Sequence, residues 1–333
     1  EIPLCDWSSD VCSSDLCQQG KADKLALIWE NSSATVTKKY TYDDLRKSSN
    51  TIAAFLTGKL GLQPGERVCL FLDKVPELYI GLIGILKAGL IAQPLFSAFG
   101  DESLLTRLSN AETSAIFTQK KHVAKVRKIL AQMPYLKHIV VIDGAGTQLR
   151  DREIAFDLDN EPKVDQFESF PSTYETPSIL HYTSGTTGQP KGAQHVHGSL
   201  ISQYLTAKWV LDLQENDIYW CNADPGWVTG TSYGIIGPWV NGVTQVVTEA
   251  GFNTEAWYAF IQRHKISVWY SAPTAIRLLM KEGKDVVKKF DLSSLRHLCS
   301  VGEPLNAEAV LWSKDAYGLQ FHDTFWQTET GCM

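Results

Sequence analysis

Short apolar segments alternate with amphipathic helical segments along most of this chain, and that alternation restricts its fold more than any other feature. In the first half, the predicted strands are residues 25–29, 35–40, 67–72, 90–95, 114–117, 138–142 and 178–182. The predicted helices are 41–58, 76–88, 103–110, 122–133 and 198–211. Because parallel strands need crossover connections that are usually helical, this order predicts parallel sheets with helices on their faces.

A second alternating set occupies the C-terminal part of the sequence. Its predicted strands are 217–221, 243–248, 266–271, 295–300 and 320–324, and its predicted helices are 231–240, 254–264, 273–281 and 306–317. A chain of 333 residues exceeds the usual size of one compact domain. We therefore expect two α/β subdomains, residues 61–200 and 201–333, with residues 17–60 packing on the second.

Charge and cysteine usage exclude several classes of protein. A net charge of −6 argues against nucleic acid as a partner, and the longest apolar run, 78–86, is shorter than the roughly 20 residues that span a bilayer. Seven cysteines without a C-x-x-C pair fit neither a disulfide framework nor a zinc site. These features predict a cytoplasmic protein that binds neither nucleic acid nor a membrane, and they leave its oligomeric state open.

Residues 1–16 differ from the rest of the chain. They repeat Ser-Ser-Asp at 8–10 and 13–15 and show no helical or strand period. The segment resembles translated adapter or vector sequence, and a disordered native arm is the alternative. We exclude it from the fold prediction.

Residues 182–192, with the sequence YTSGTTGQPKG, form the most distinctive local motif. Glycines, hydroxyl side chains and a closing lysine between a predicted strand and a predicted helix suit a phosphate-binding loop. The spacing excludes the G-x-x-x-x-G-K-[ST] loop, because Pro190 precedes Lys191 and Gly192 follows it. A serine- and threonine-rich surface turn is the alternative reading of the same residues.

This motif resembles the signature loop of the adenylate-forming enzymes, which include acyl-CoA synthetases, luciferases and peptide-synthetase adenylation domains. The runs SLRHLCSVGEPLN (294–306) and DTFWQTETG (323–331) are also similar to that family, and most similar to its acetyl-CoA synthetases. The resemblance implies two stacked parallel-sheet α/β subdomains of the family's large domain. The sequence stops directly after the last motif, so we expect a chain truncated before the β-barrel subdomain and the C-terminal domain with its catalytic lysine.

Carried over position by position, the resemblance implies a nucleotide site and its catalytic residues. The implied ATP and AMP contacts are Thr183, Ser184, Gly185, Thr186, Thr187, Gly188, Gly302, Glu303, Pro304, Asp323, Thr324, Phe325, Trp326, Gln327 and Thr328. The implied catalytic residues are Lys191, Thr328 and Glu329, with Glu329 also holding Mg²⁺, a cation that suits one carboxylate plus phosphate oxygens. Gly302-Glu303-Pro304 would also suit an ordinary strand-to-helix turn.

The resemblance further implies an acyl pocket formed by Val228, Thr229, Val301 and Trp326. A tryptophan in such a pocket leaves room for only a methyl or ethyl group, so the implied substrate is acetate, with propionate a poorer one. The implied reaction uses ATP, Mg²⁺ and coenzyme A to form acetyl-AMP and then acetyl-CoA. We expect feeble or absent turnover by a chain that lacks the C-terminal domain.

Several alternatives and departures remain. The chain has phenylalanine at 325, where a tryptophan is usual in the family, and has no counterpart of the arginine-rich coenzyme A segment between residues 98 and 131. Other readings are a medium-chain or other short-chain acyl-CoA synthetase, an adenylation domain using Asp224, or a non-catalytic nucleotide-binding fragment. His195 and His197 alternate as two metal ligands could, but no third ligand is near them in sequence.

Overall fold

The computed structural model describes residues 14–183 and 188–333. Its strands are β1 Leu25–Glu30, β2 Thr37–Thr41, β3 Arg67–Phe71, β4 Ile91–Pro94, β5 Ala115–Thr118, β6 His138–Val141, β7 Glu153–Ala155, β8 Pro177–Thr183, β9 Lys191–Val196, β10 Ile218–Cys221, β11 Thr244–Thr248, β12 Val268–Ser271, β13 His297–Ser300 and β14 Phe321–Asp323. Its helices are α1 Ser14–Leu16, α2 Tyr42–Ala54, α3 Pro76–Lys87, α4 Asp101–Asn110, α5 Lys120–Ile129, α6 Ser199–Trp209, α7 Val228–Thr231, α8 Gly237–Val240, α9 Thr254–His264, α10 Pro273–Glu282, α11 Lys284–Val287 and α12 Ala307–Tyr317.

The chain folds into two compact units, and both are discontinuous in sequence. The first unit contains Tyr42–Ser199, Pro225–Val228 and the described residues before Asp23. The second unit contains Asp23–Thr41, Leu200–Asp224 and Thr229–Met333.

The sheet of the first unit has the strand order β7-β6-β5-β3-β4-β8-β9 within the described ranges. All neighbouring pairs are parallel except β8 and β9, which are antiparallel. Helix α3 packs closely on α2 at Gly84, where glycine is required: a Cβ there would lie only 2.8 Å from the Ile52 side chain. Gly89, with φ +70°, follows α3 and supplies the left-handed backbone of the predicted helix stop.

The sheet of the second unit has the order β14-β13-β12-β10-β11-β1-β2. Here β1 and β2 are antiparallel, and the other neighbouring strands are parallel. One face is packed with aromatic side chains, among which Trp220 and Trp269 stack with ring centroids 5.5 Å apart. This core supports the sheet whose strand ends carry several of the predicted site residues.

The predicted α/β class is confirmed, and each sheet adds one antiparallel strand pair at an edge. The structure also contains β7, β9 and α11, which the apolar pattern of the sequence does not predict. The predicted helix 231–240 is present and begins earlier, at Val228, but its middle part, Ser232–Ile236, is a π-helical turn between α7 and α8.

Two further expectations concern the N-terminal segment and the cysteines. Residues 1–13 lie outside the described residues, whereas Leu16 is 5% exposed and therefore packed in the first unit. Among the described residues, Cys17, Cys69, Cys221, Cys299 and Cys332 are free thiols.

None of the helices in the described ranges has the length and apolar character needed to cross a membrane.

Candidate nucleotide site

The signature motif lies on a β-hairpin, so the prediction that it joins a strand to a helix is wrong. Strands β8 and β9 are antiparallel, with Thr183 paired to Lys191 across the hairpin. Ser184, Gly185, Thr186 and Thr187 lie outside the described residues. After them, Gly188 has φ +83°, a conformation that glycine adopts readily. The sequence does not predict β9, because most of its residues are small or polar and exposed, as is usual for an edge strand.

The strand that leads into the motif is anchored in the first unit through Tyr182. The Tyr182 hydroxyl lies 2.8 Å from Asn110 Oδ1 and 3.1 Å from the Arg107 carbonyl, both on α4. The Arg107 guanidinium packs over the Phe99 ring at 4.3 Å. Burial raises the pKa of Tyr182 to about 12, so its hydroxyl stays neutral and remains a donor. These contacts fix the position at which the motif begins.

Lys191 is the exposed first residue of β9. Within the described part of the chain it has no hydrogen-bond or ion-pair partner, and it lines an open groove of about 690 Å³. Arg67 lines the same groove, but its guanidinium is bound to the Ala111 carbonyl and to Glu112. The Lys191 ammonium group, unlike the Arg67 guanidinium, is therefore available to neutralise a ligand phosphate.

In the second unit, the turn after β13 is held by helix α10. Gly302 has φ +116°, and open space surrounds it where a Cβ would stand. Arg277 Nη1 donates to Glu303 Oε2 at 2.8 Å and Nη2 donates to the Pro304 carbonyl at 3.3 Å, while Thr274 donates to the other Glu303 oxygen. These hydrogen bonds from Arg277 and Thr274 lower the pKa of Glu303. Arg277 and Thr274 belong to none of the sequence motifs, so the motifs do not predict these contacts.

Asp323, the last residue of β14, joins this turn to the neighbouring strand. Its Oδ2 accepts from the Leu305 amide at 3.1 Å, and its Oδ1 accepts from the Ser300 hydroxyl at 3.2 Å. The Thr324 amide donates to the Ser300 carbonyl at 2.8 Å. The structure therefore brings two predicted nucleotide segments, 302–304 and 323–328, together at the carboxyl edge of one sheet, where ligands of open α/β sheets bind.

The predicted pocket residues divide between the two units. Val301 is 5% exposed and belongs to an apolar cluster of the second unit, against which Trp326 packs. Thr229, also in the second unit, is half-buried. Val228 is buried in the first unit.

The remaining motif residues form an exposed turn. Phe325 is 88% exposed, and Gln327 and Glu329 are exposed as well. The turn is anchored by Gln203, a fully buried residue of α6 whose side-chain amide donates to the Gly331 carbonyl at 3.1 Å. Ser232 donates to the same carbonyl at 2.7 Å. Gln203 and Ser232 are distant in sequence from the motif, so no local pattern could have identified them.

The predicted Mg²⁺ ligand is compatible with this geometry. Glu329 has no hydrogen bond or ion pair to any described residue, so its carboxylate is open to solvent and to a cation. The described residues contain no group of three or more His, Cys, Asp or Glu side chains able to hold a metal. A single carboxylate still fits Mg²⁺, which completes its shell with phosphate oxygens and water.

The histidines beside the motif are buried core residues. The rings of His181 and His195 lie 5.8 Å apart across β8 and β9. Burial, assisted by the charge of His195, lowers the pKa of His181 to about 3, and burial lowers that of His197 to about 4. Both imidazoles are therefore neutral at pH 7, and the described residues supply no third ligand for a metal.

Comparison with known proteins agrees with the motifs. The profile of the AMP-binding enzyme family matches residues 15–333. Acetyl-coenzyme A synthetase of Bacillus subtilis is 41% identical over 93% of this chain and 54% of its own length, and that of Deinococcus radiodurans is 36% identical over 95% and 52%. The crystal structure of Brucella canis acyl-CoA synthetase superposes with a TM-score of 0.87 at 27% identity, covering 96% of this chain and 57% of that one. The chain spans about half the length of the curated relatives it matches, and it belongs to the AMP-binding enzyme family.

Proposed function

We propose that the protein containing this chain activates acetate with ATP and transfers the acetyl group to coenzyme A, forming acetyl-CoA, AMP and pyrophosphate. The chain itself would bind the acetyl-adenylate but turn over weakly or not at all, because it spans about half of the relatives named acetyl-coenzyme A synthetase. We further propose a cytoplasmic location and small molecules as its partners.

One observation supports this proposal most directly. The 302–304 turn and the 323–328 segment lie at one sheet edge, where the Leu305 amide, directly after the turn, donates to Asp323 and Trp326 packs against the cluster that contains Val301. A nucleotide-binding edge next to a bulky indole suits an adenylate whose acyl group is small. The relatives' names supply acetate as the substrate.

The proposed chemistry requires alignment and charge neutralisation more than covalent participation by the protein. The acetate carboxylate attacks the α-phosphate of ATP and pyrophosphate leaves. Lys191 and the hydroxyls of the hairpin motif would hold the β- and γ-phosphates. Glu329, with Thr328 beside it, would hold Mg²⁺, which supplies positive charge at the phosphates.

The competing functions differ in the acyl group or in turnover. A medium-chain acyl-CoA synthetase needs a longer pocket, which the Trp326 indole disfavours. An amino-acid adenylation domain needs an acid for the amino group, and Asp224 is the nearest candidate in sequence. The coverage of half the relatives' length favours, as the second candidate, a fragment that binds nucleotide without catalysis.

Calorimetry with the 333-residue chain tests the proposal. The ethyl ester of AMP, an unreactive mimic of acetyl-AMP, should bind, whereas an aminoacyl-adenylate mimic should bind more weakly. Acetate-dependent exchange of pyrophosphate into ATP should be feeble. Absence of binding would refute the proposed site, and brisk exchange would refute the expected loss of turnover.

Lys191→Ala tests whether Lys191 contacts the β- and γ-phosphates of ATP and not the adenylate part of the ligand. Loss of a charged hydrogen bond should weaken ATP binding by at least about tenfold, because such bonds contribute roughly 1.5–3 kcal/mol. Binding of the AMP ester, which lacks β- and γ-phosphates, should not change. Lys288→Ala, which removes an equal charge from a surface pair with Asp285, is the control. If Lys191→Ala weakened the binding of ATP and of the AMP ester equally, Lys191 would not be a specific contact of the β- and γ-phosphates.

A further inference from the structure

The Trp326 indole is held by a chain of three hydrogen bonds. Trp326 Nε1 lies 3.1 Å from the Tyr270 hydroxyl, which lies 2.7 Å from Thr324 Oγ1. Thr324 Oγ1 in turn donates to the Ser300 carbonyl at 2.9 Å. The chain begins at the predicted pocket residue and ends on the backbone of β13.

The direction of each bond follows from the groups involved. An indole N–H can only donate and a carbonyl can only accept. Because the Thr324 hydrogen is used on the Ser300 carbonyl, the Tyr270 hydroxyl must donate to Thr324 and accept from Trp326. Tyr270 is fully buried, so no water competes for its hydroxyl.

A second tyrosine packs against the same indole. The ring of Tyr233 lies 5.1 Å from that of Trp326 at an interplanar angle of 79°, the edge-to-face geometry that aromatic pairs prefer. Tyr233 is itself fixed, because its hydroxyl lies 2.7 Å from Thr206 Oγ1 and accepts from the Met333 amide at 2.8 Å. Both tyrosines are fully buried.

We propose that Tyr270 and Tyr233 are positioning residues that determine acyl-chain length by holding the Trp326 indole in one orientation. This inference rests on the proposed function, since it requires Trp326 to border the acyl group. An indole that is free to rotate admits a longer chain for part of the time, whereas one fixed at its nitrogen and its ring excludes it. Neither tyrosine needs to contact the substrate.

Tyr270→Phe tests the hydrogen-bonded part of this arrangement, because it removes one oxygen and keeps the ring. Calorimetry should compare binding of the ethyl and butyl esters of AMP to the 333-residue chain. Wild type should prefer the ethyl ester, and Tyr270→Phe should reduce that preference about fivefold, the effect of one net hydrogen bond. The change should come mainly from tighter binding of the butyl ester.

Tyr258→Phe is a matched control. Tyr258 is also fully buried in the second unit, and its hydroxyl pairs with that of Tyr317 at 2.7 Å, away from Trp326. It should leave the ester preference unchanged. A second variant, Tyr233→Leu, removes the perpendicular ring and should shift the preference in the same direction as Tyr270→Phe.

The outcomes separate this inference from the proposed function. If wild type binds neither ester, the proposed function fails and the inference falls with it. If wild type prefers the ethyl ester and both Tyr270→Phe and Tyr233→Leu retain that preference with wild-type melting temperatures, the inference alone is overturned. A shift in Tyr258→Phe equal to that in Tyr270→Phe would also overturn it, because a buried hydroxyl anywhere in the unit would then have the same effect.

Discussion

Replacing Trp326 by glycine is expected to change the acyl-chain preference of the site by about 100-fold. The physical reason is the removal of the indole that packs against the apolar cluster containing Val301, which leaves space for a longer alkyl chain. Hexyl-AMP has four more methylenes than ethyl-AMP, and burying them contributes about 3 kcal/mol at roughly 0.8 kcal/mol each. The ratio of the two dissociation constants, measured by calorimetry with this chain, should move by that amount towards the hexyl ester.

Two further substitutions control this measurement. Trp326→Phe keeps an aromatic ring and should retain most of the preference for the ethyl ester. Trp209→Gly makes the same replacement at a residue that is 70% exposed, and it should leave the ratio unchanged. An unaltered ratio in folded Trp326→Gly would remove Trp326 from the acyl pocket.

Most strands and helices could be predicted because their signals are local. Helix α9, for example, has the bounds 254–264 that its apolar spacing predicts, and Asn253 caps it by accepting from the Ala256 amide at 2.9 Å. Strand β3 and helix α3, which begins at Pro76, are predicted equally well by their apolar spacing. Short apolar runs between amphipathic segments are therefore enough to predict the α/β class.

The elements that were missed lack such a signal. Strand β9 has only one buried residue, His195, so its composition does not indicate a strand. Strand β7 is three residues long and completes the opposite edge of the same sheet. Edge strands are specified by the partner that they pair with, and a single sequence does not reveal that partner.

The same distinction applies to the candidate site. Its motif residues follow strand ends and are contiguous, so their positions could be predicted. The residues that support them are remote: Tyr270 lies 56 residues before Trp326, and Gln203 lies 128 residues before Gly331. Arg277 precedes Glu303 by 26 residues. Only the folded sheet brings these side chains to the motif, so local patterns could not identify them.

A buried carboxylate at the opposite, amino-terminal ends of three strands stabilises the second unit. Asp217 precedes β10, and its side chain is 5% exposed. Its Oδ1 accepts from Arg296 Nε at 2.8 Å and from the Ser267 hydroxyl at 2.7 Å, and its Oδ2 accepts from the Gln214 amide at 2.7 Å. Since Ser267 precedes β12 and Arg296 precedes β13, one carboxylate ties the starts of three adjacent strands together.

The pH dependence of this contribution follows from the pKa of Asp217. Burial opposes ionisation, but the hydrogen bonds from Arg296, the Gln214 amide and Ser267 prevail and lower the pKa of Asp217 below its ordinary value. A carboxyl whose pKa is lower in the folded state contributes its full stabilisation above the unfolded pKa, which is about 3.9. That stabilisation is lost as the pH falls below this value and through the folded pKa.

Asp217→Ala should therefore lower the free energy of unfolding by about 3 kcal/mol at pH 7, because it removes the buried carboxylate that binds Arg296, Ser267 and the Gln214 amide. Within the described ranges, Arg296 then keeps only its contacts with Asp212 at the exposed side of its guanidinium. Urea denaturation should show this loss at pH 7 and a smaller difference from wild type below about pH 4. Asp315→Ala is the control, since the Asp315 side chain is 65% exposed and pairs only with Lys284 among the described residues, so its removal should cause no measurable change. A loss for Asp217→Ala that is the same at both pH values would show that packing, and not the ionised carboxylate, accounts for the stability of these strand ends.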